Sequence, residues 1–379
     1  MTRRHTVERL APGKLFIAGE YAVVEPGNPA ILAAVDRCVR VTATGSDADG
    51  KSSDGAEVTI VSDLAPNGVR LLRSRGVLVG HSVGDEQRAR RDLAHVVSAI
   101  ETVDALRVER ELYAPALHVS VISELHDSGV KFGLGSSGAV TVATIDAVAA
   151  CYGMRLSREA LFRLAMLATA RIDTGPSGGD LAAAVWGGWI GYRAPDRDAV
   201  LAMARRHGVE ETLSRPWPHE ELRQLPPPSG LTVEIGWTGR PASTTDLVAG
   251  WNTPALRSGI THQEFLADSA ECVRAISRAL VQQDGEALLH QIRAARLVLA
   301  RLERRTGISI FTPRLTALCA TAEAVGAAAK PSGAGGGDCG IALLPSEAAE
   351  ALTRLRARWT AAGVVPLPIR TSDRKDLLQ

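Results

Sequence analysis

The chain has 379 residues, 45% hydrophobic and 22% charged, which is ordinary for a globular protein and long enough for two domains with separate interiors. Its 43 Lys and Arg against 42 Asp and Glu leave a formal charge of +1, so charge gives no reason to expect a nucleic acid or an anionic membrane as partner. Five cysteines without a CxxC pair argue against a disulfide framework or a zinc site, and no apolar run approaches the ~20 residues that span a bilayer, so a soluble, cytoplasmic protein is expected.

The N-terminal MTRRHTVERLAPGK is basic but has no apolar stretch behind it, unlike a secretory signal. Alternating Val, Ile and Thr predict strands at Arg37–Thr44 and Glu57–Ser62, with GSDADGKSSDG between them as a turn. Apolar positions at helical spacing (Leu93, Val96, Val97, Ile100, Val103, Leu106) predict one amphipathic helix over Asp85–Glu111. A strand at Leu117–Ile122 leads to a Gly-rich loop and the small-residue helix Ala139–Cys151. A further helix, Arg158–Arg171, precedes GPSGGD, after which LAAAVWGGWIGYR passes from helix to strand.

Leu213–Gly230 concentrates five of the 19 prolines and breaks every period, so it reads as a linker between residues 1–212 and 231–379. Beyond it come a strand at Leu231–Trp237, two long amphipathic helices within Thr261–Gly307 and a helix at Pro313–Val325. A second Gly-rich loop, strand Cys339–Leu344, helix Glu347–Ala362 and a final strand near Val364–Ile369 complete the chain. Strands and helices mix without strict βαβ repetition, which predicts an α+β arrangement in both halves.

Two segments match phosphate-loop patterns by letter. GSDADGKS at Gly45–Ser52 fits the P-loop pattern, yet Asp47 and Asp49 lie inside it and a strand follows, where an anion needs a helix N-terminus; a solvated hairpin turn is the better reading. GLGSSG at Gly133–Gly138 fits GxGxxG, but it stands about ten residues beyond its strand rather than in a tight strand-to-helix turn. Its composition still suits a triphosphate: glycines admit close backbone approach, Ser136 and Ser137 supply hydroxyls, and a helix begins where the anion would lie.

Lys14, after Pro-Gly and before an apolar run, sits at a strand entrance where its ammonium can be pre-organised toward charge. Asp180 either caps the helix that follows it or acts chemically. SGAGGGDCG holds more glycine around Asp338 than a turn requires, and Cys339 reads as a small residue entering a strand.

Taken together, APGKLFIAGEYAVV, KFGLGSSGAV and KPSGAGGGDCGIALL, in this order over nearly the whole chain, resemble the GHMP-type small-molecule kinase superfamily of galactokinase, homoserine, mevalonate and phosphomevalonate kinases. The resemblance implies a two-domain fold: an N-terminal domain like domain 2 of ribosomal protein S5, with a left-handed βαβ crossover among its expected features, and a ferredoxin-like C-terminal domain. It implies that Gly133, Leu134, Gly135, Ser136, Ser137 and Gly138 wrap the phosphates of ATP and that Ser137 is a Mg²⁺ ligand. Lys14 would stabilise the transferred phosphoryl group, while Asp180 would deprotonate the acceptor or position Lys14. Departures from the family pattern are Gly129 for a usual proline, Lys131 among usually neutral positions, Gly138 for alanine, and Thr169 where mevalonate kinase carries a carboxylate for the metal; Asp173, or waters and ATP oxygens, would then complete the shell. Within the family, GEYAVVEPGNPAIL and GWTGRPAST are similar to the bacterial enzymes that act on phosphomevalonate. That implies an acceptor site drawn from Glu20, Tyr21, Lys131, Ser177, Arg193, Arg240, Lys330, Ser332 and Gly333, with ATP and phosphomevalonate as small-molecule substrates of a monomer or homodimer. Mevalonate kinase, diphosphomevalonate decarboxylase and a non-catalytic relative on the same scaffold are the alternatives.

Overall fold

The computed structural model describes residues 4–46, 55–63, 65–242, 247, 250, 251 and 259–372. Strand β2 (Pro29–Ser46) is the spine of an eight-stranded sheet. Strand β1 (Arg4–Ala18) pairs antiparallel along one of its edges, while β9 (Trp189–Arg193) and β6 (Ala116–Ser123) share the other, at residues 29–33 and 39–46. Beyond β6 follow β3 (Glu57–Ser62), β4 (Ala65–Ser74) and β5 (Val77–Gly80); β3 and β6 form the parallel pair, and the remaining pairs are antiparallel. The burial of β2 explains its length. Residues 29–35 are buried on both faces, whereas the second half alternates as a strand with one wet face must.

Helices α1 (Val83–Asp92) and α2 (Ala94–Glu109) replace the single helix expected over Asp85–Glu111. The break falls at Leu93, which leaves helical backbone angles and is buried in the core; the apolar period runs through it unbroken, so packing imposes a kink that no Gly or Pro announces. A two-stranded ribbon of β7 (His126–Asp127) and β8 (Val130–Lys131) leads to α3 (Ser136–Cys151), then α4 (Arg158–Ala170) and α5 (Gly179–Trp186). The Gly45–Ser52 pattern lies mostly outside the described residues; Gly45 and Ser46 end β2, and the next described element is a strand.

The proline-rich segment expected as a linker holds more structure than one. After α6 (Arg197–His207) and α7 (Val209–Ser214), Trp217 is buried with its indole N–H donated to the Thr212 carbonyl, 2.9 Å. β10 (Glu221–Leu225) then pairs with β9 as the sheet's edge. The prolines flank this strand rather than enter it, which leaves every ladder N–H in place. Residues 226–230 alone separate the two sheets.

The second sheet runs β12 (Ala328–Pro331), β13 (Cys339–Pro345), β11 (Leu231–Trp237), β14 (Val365–Leu367), all antiparallel. Helices α8 (Ile260–Gln282), α9 (Gly285–Thr306) and α10 (Pro313–Glu323) lie between its first and second strands in chain order, and α11 (Ala349–Ala361) between its third and fourth. Strand order and helix placement are those of a ferredoxin-like domain. The main apolar core continues from the first sheet into β11, β13, α8 and α9, and Tyr21, Ala22 and Val24 pack with Phe265, Val298 and Leu299 in a cluster of their own at the seam. The last described residues return to the first domain, where Ser372 N–H donates to the Ala34 carbonyl at 3.0 Å.

Candidate active site

β1 carries a bulge between Pro12 and Lys14. Bulges re-aim the side chains beside them, and this one needs Gly13: a methyl group there would sit 2.7 Å from the Leu134 carbonyl oxygen. The close approach lets the Lys14 N–H donate to that carbonyl at 2.7 Å, which docks β1 onto the 133–138 loop and carries the Lys14 ammonium to the Gly133 carbonyl, 3.3 Å. The ammonium also lies over the Phe16 ring, 5.1 Å from its centre.

α3 starts earlier than its sequence pattern suggests, so Ser136 and Ser137 occupy its first turn. Gly135 caps it in the left-handed region at φ 79°, and among the described residues no side chain bonds the first amides, which leaves them open toward an anion. Asp180 enters from the first turn of α5. A methyl on Gly135 would lie 3.0 Å from Lys14 Cγ and 3.1 Å from Asp180 Cβ, and one on Gly138 would lie 2.5 Å from Asp180 Oδ2. Gly138, a departure from the family pattern, therefore makes the space that Asp180 fills. The loop before α5 is held by two residues the sequence did not point to: Tyr192 donates its hydroxyl to the Ser177 carbonyl, 2.7 Å, and buried Arg197 donates to the carbonyls of Thr174, 2.5 Å, and Val24, 2.7 Å.

The second domain closes the centre with Asp338, at φ 51° in the last Gly-rich loop. Its carboxylate accepts the Ala242 N–H at 2.9 Å and presses on Gly133, where a methyl would fall 2.2 Å from its Cγ. Lys14 is thus enclosed by Asp180, Asp338, Cys339 and Glu20. Burial holds its pKa below the usual lysine range, and those four groups act in the opposite direction. Burial raises the carboxyl pKa of Asp338, against the Ala242 hydrogen bond and the charge of Lys14. The Cys339 thiol is pushed up by burial and donates to the Phe132 carbonyl at 3.1 Å, which makes it a packed side chain rather than a nucleophile. His95, in the first turn of α2, has its pKa lowered by burial while feeling Asp180 and Lys131, and its buried Nδ1 has no hydrogen-bond partner among the described residues. Nothing in its local pattern distinguishes it from a helix-face residue.

The residues expected at the acceptor fare differently. Lys330 is fully buried; its ammonium pairs with Glu20 and donates to the Pro331 carbonyl, 2.7 Å. Tyr21, with φ 63°, donates its hydroxyl to the Ala334 carbonyl at 2.5 Å. Ser332 Oγ both donates to the Phe16 carbonyl, 3.0 Å, and accepts the Phe16 N–H, 2.9 Å. Glu20, Tyr21, Lys330 and Ser332 are therefore brought together as a clamp between the domains. Arg193 is committed to Glu221, 2.7 Å, and the Gly27 carbonyl. Lys131 and Arg240 present exposed side chains, although the Arg240 carbonyl accepts the Asp338 N–H at 2.8 Å. Ser177 accepts the Gly179 N–H at 3.3 Å, and Gly333 lies open at φ 107°. Thr169 spends its hydroxyl on the Ala165 and Met166 carbonyls, both 3.1 Å, and Asp173 accepts the Gly175 N–H at 2.8 Å.

The arrangement is a buried lysine between two carboxylates beside an open helix N-terminus, suited to stabilising a transferring phosphoryl group. Comparison with known proteins gives the same direction. The model for the GHMP kinases N terminal domain matches residues 94–188, and that for GHMP kinases C terminal matches 276–361. The phosphomevalonate kinase of Streptomyces sp. (strain CL190) is 58% identical over 368 residues, 97% of this chain and 98% of that one. The mevalonate kinase of Thermococcus onnurineus is 28% identical over 96% of this chain and 95% of its own. Among solved structures, Streptococcus pneumoniae phosphomevalonate kinase in complex with phosphomevalonate and AMPPNP superposes with a TM-score of 0.81 at 27% identity, covering 97% of this chain and 100% of that one.

Proposed function

Because the chain belongs to the GHMP kinase family, we propose that it transfers the γ-phosphoryl group of ATP to the phosphate of (R)-5-phosphomevalonate, giving 5-diphosphomevalonate and ADP for isoprenoid synthesis. The observation that carries this reading is Lys14: a buried ammonium, aimed by a backbone bulge at the glycine loop and flanked by Asp180. It supports a mechanism of positioning and charge neutralisation, with no covalent intermediate.

The open amides of α3 and the hydroxyls of Ser136 and Ser137 fit a triphosphate. Mg²⁺ fits the hard oxygen of Ser137 together with nucleotide oxygens and waters, and when bound it neutralises charge on the β- and γ-phosphates. Thr169 brings no carboxylate to that shell, and its hydroxyl proton goes to the Ala165 and Met166 carbonyls of its own helix. Lys14 faces the γ-phosphoryl group and the attacking oxygen. That oxygen belongs to a phosphate that is anionic at neutral pH, so Asp180 is needed chiefly to orient Lys14 rather than to remove a proton. Seam residues carry the acceptor indirectly: Tyr21 and Ser332 hold the two domains in register around it. No described helix is long and apolar enough to cross a membrane, and the five cysteines are unpaired, which supports a cytoplasmic location.

ADP release from Mg-ATP, with phosphomevalonate, mevalonate and diphosphomevalonate offered separately, tests the assignment. Turnover on phosphomevalonate alone, lost in Lys14→Met and reduced less in Asp180→Asn, is the expected result. Turnover on mevalonate would move the protein one reaction earlier.

A further inference from the structure

Lys14 is one of only five lysines in the chain (Lys14, Lys51, Lys131, Lys330, Lys375) among 43 basic residues, the rest being arginine. An ammonium, unlike a guanidinium, loses its proton readily when buried, so a lysine kept here needs its charge maintained by its surroundings. Asp180 reaches it from the same domain, and Asp338 is the carboxylate supplied by the other domain. Asp338 is also held more firmly than an incidental neighbour. Its N–H donates to the Arg240 carbonyl at 2.8 Å, its carbonyl accepts the Thr238 N–H at 2.9 Å, its carboxylate accepts the Ala242 N–H, and it occupies a backbone region that favours glycine. The fit against Gly133 leaves no room for a methyl group between them.

We propose that Asp338 is a positioning residue for phosphoryl transfer: delivered by the C-terminal domain, its carboxylate keeps Lys14 cationic and turned toward Gly133, so the lysine reaches its working state only when the domains are docked. The inference rests on Lys14 being the stabilising group of the proposed reaction. Among the described residues, the charged and titratable groups facing Lys14 are Asp180 from α5, Asp338 and Cys339 from the last loop and β13, and Glu20 after β1; Glu20 is itself paired with Lys330, and His95 faces Asp180 from α2. Asp338 is therefore the one whose removal changes the charge at Lys14 without touching the clamp or the first domain's own pair.

The test is Asp338→Asn, in which the amide oxygen still accepts the Ala242 N–H while the charge is gone. Five lysines make a protein labelled with ¹³C at lysine Cε readable by NMR, the Lys14 signal being the one lost in Lys14→Met. In the nucleotide-free protein the Lys14 midpoint should fall by roughly one pH unit in Asp338→Asn, as expected for loss of a nearby opposite charge, with the thermal midpoint unchanged. The alkaline limb of kcat should move down with it, the KM for Mg-ATP staying within about twofold and the acidic plateau little changed, since one pH unit is tenfold in protonation. An unmoved Lys14 midpoint overturns the proposal, as does a loss of kcat that is the same at every pH. A higher Mg²⁺ requirement with Lys14 unmoved also overturns it, in favour of contact with the metal. Should the protein turn over none of the three acceptors, the NMR titration still decides the role of Asp338.

Discussion

Lys14 and Lys330 enter the same seam from opposite domains, both buried, and are bonded in opposite ways. Lys330 spends two of its three N–H donors, on a carboxylate and a carbonyl, and has no exposed surface. The Lys14 ammonium has a carbonyl at 3.3 Å, a ring face 5.1 Å away and carboxylates arranged around it. Under the proposed mechanism, the contrast separates a buried cation that holds the fold from one that serves the reaction. Completed hydrogen bonds hold the fold, whereas donors left partly free, with charge supplied around them, keep capacity for a transition state. Both residues lie in conspicuous motifs, and by motif alone Lys330 would be placed with the substrate.

Substitutions at each lysine should separate the two regions. Lys330→Met leaves Glu20 charged and unpaired in the seam and should cost about 3–5 kcal/mol in a urea unfolding curve; the double variant Glu20→Leu/Lys330→Met should recover most of that loss, and failure to recover would place Lys330 with the substrate instead. Lys14→Met should lower kcat by roughly 10²–10³-fold with little change in the thermal midpoint, because among the described residues Lys14, unlike Lys330, is in no ion pair at bonding distance. A large fall in stability would make Lys14 a second Lys330. On the alkaline side, burial places the Lys14 pKa below its ordinary value of 10.5, so the cation is lost as pH rises and kcat should decline at lower pH than an exposed lysine would impose. A pH profile flat to pH 10 would contradict that. Gly138→Ala should reduce kcat about tenfold, since a methyl at 2.5 Å from Asp180 Oδ2 displaces the carboxylate. Smallest of all, Tyr21→Phe should cost roughly 1 kcal/mol of stability by orphaning the Ala334 carbonyl, with kcat nearly unchanged. A collapse of kcat there would return Tyr21 to the acceptor site.

Local pattern made most elements legible, because apolar periodicity records which face is buried: the long helices within 261–307 and the strands at 231–237 and 339–344 stand where alternation and helical spacing predict them. The kink at Leu93 and strand β10 were not legible. Packing produces the first, and pairing with β9 produces the second in a segment whose prolines read as punctuation. Of the site, Lys14, Asp180 and the 133–138 loop are brought together as the motifs imply. Asp338 lay in a recognised motif without a role, and Arg197 and His95 carried no signal.

Glycine spacing, a Pro-Gly-Lys turn and a helix start are local features that chain order preserves, so the family and its class of chemistry were legible in the sequence. Which charged residues hold the domains together, and which stay open for the proposed transfer, came from the tertiary arrangement. Glu20 and Lys330 are 310 residues apart, Phe16 and Ser332 316 apart. Whether a cation meets a carboxylate across such a distance depends on how two domains dock, and that docking, through burial and completed hydrogen bonds, is what turns one lysine into a clamp and leaves the other free to act.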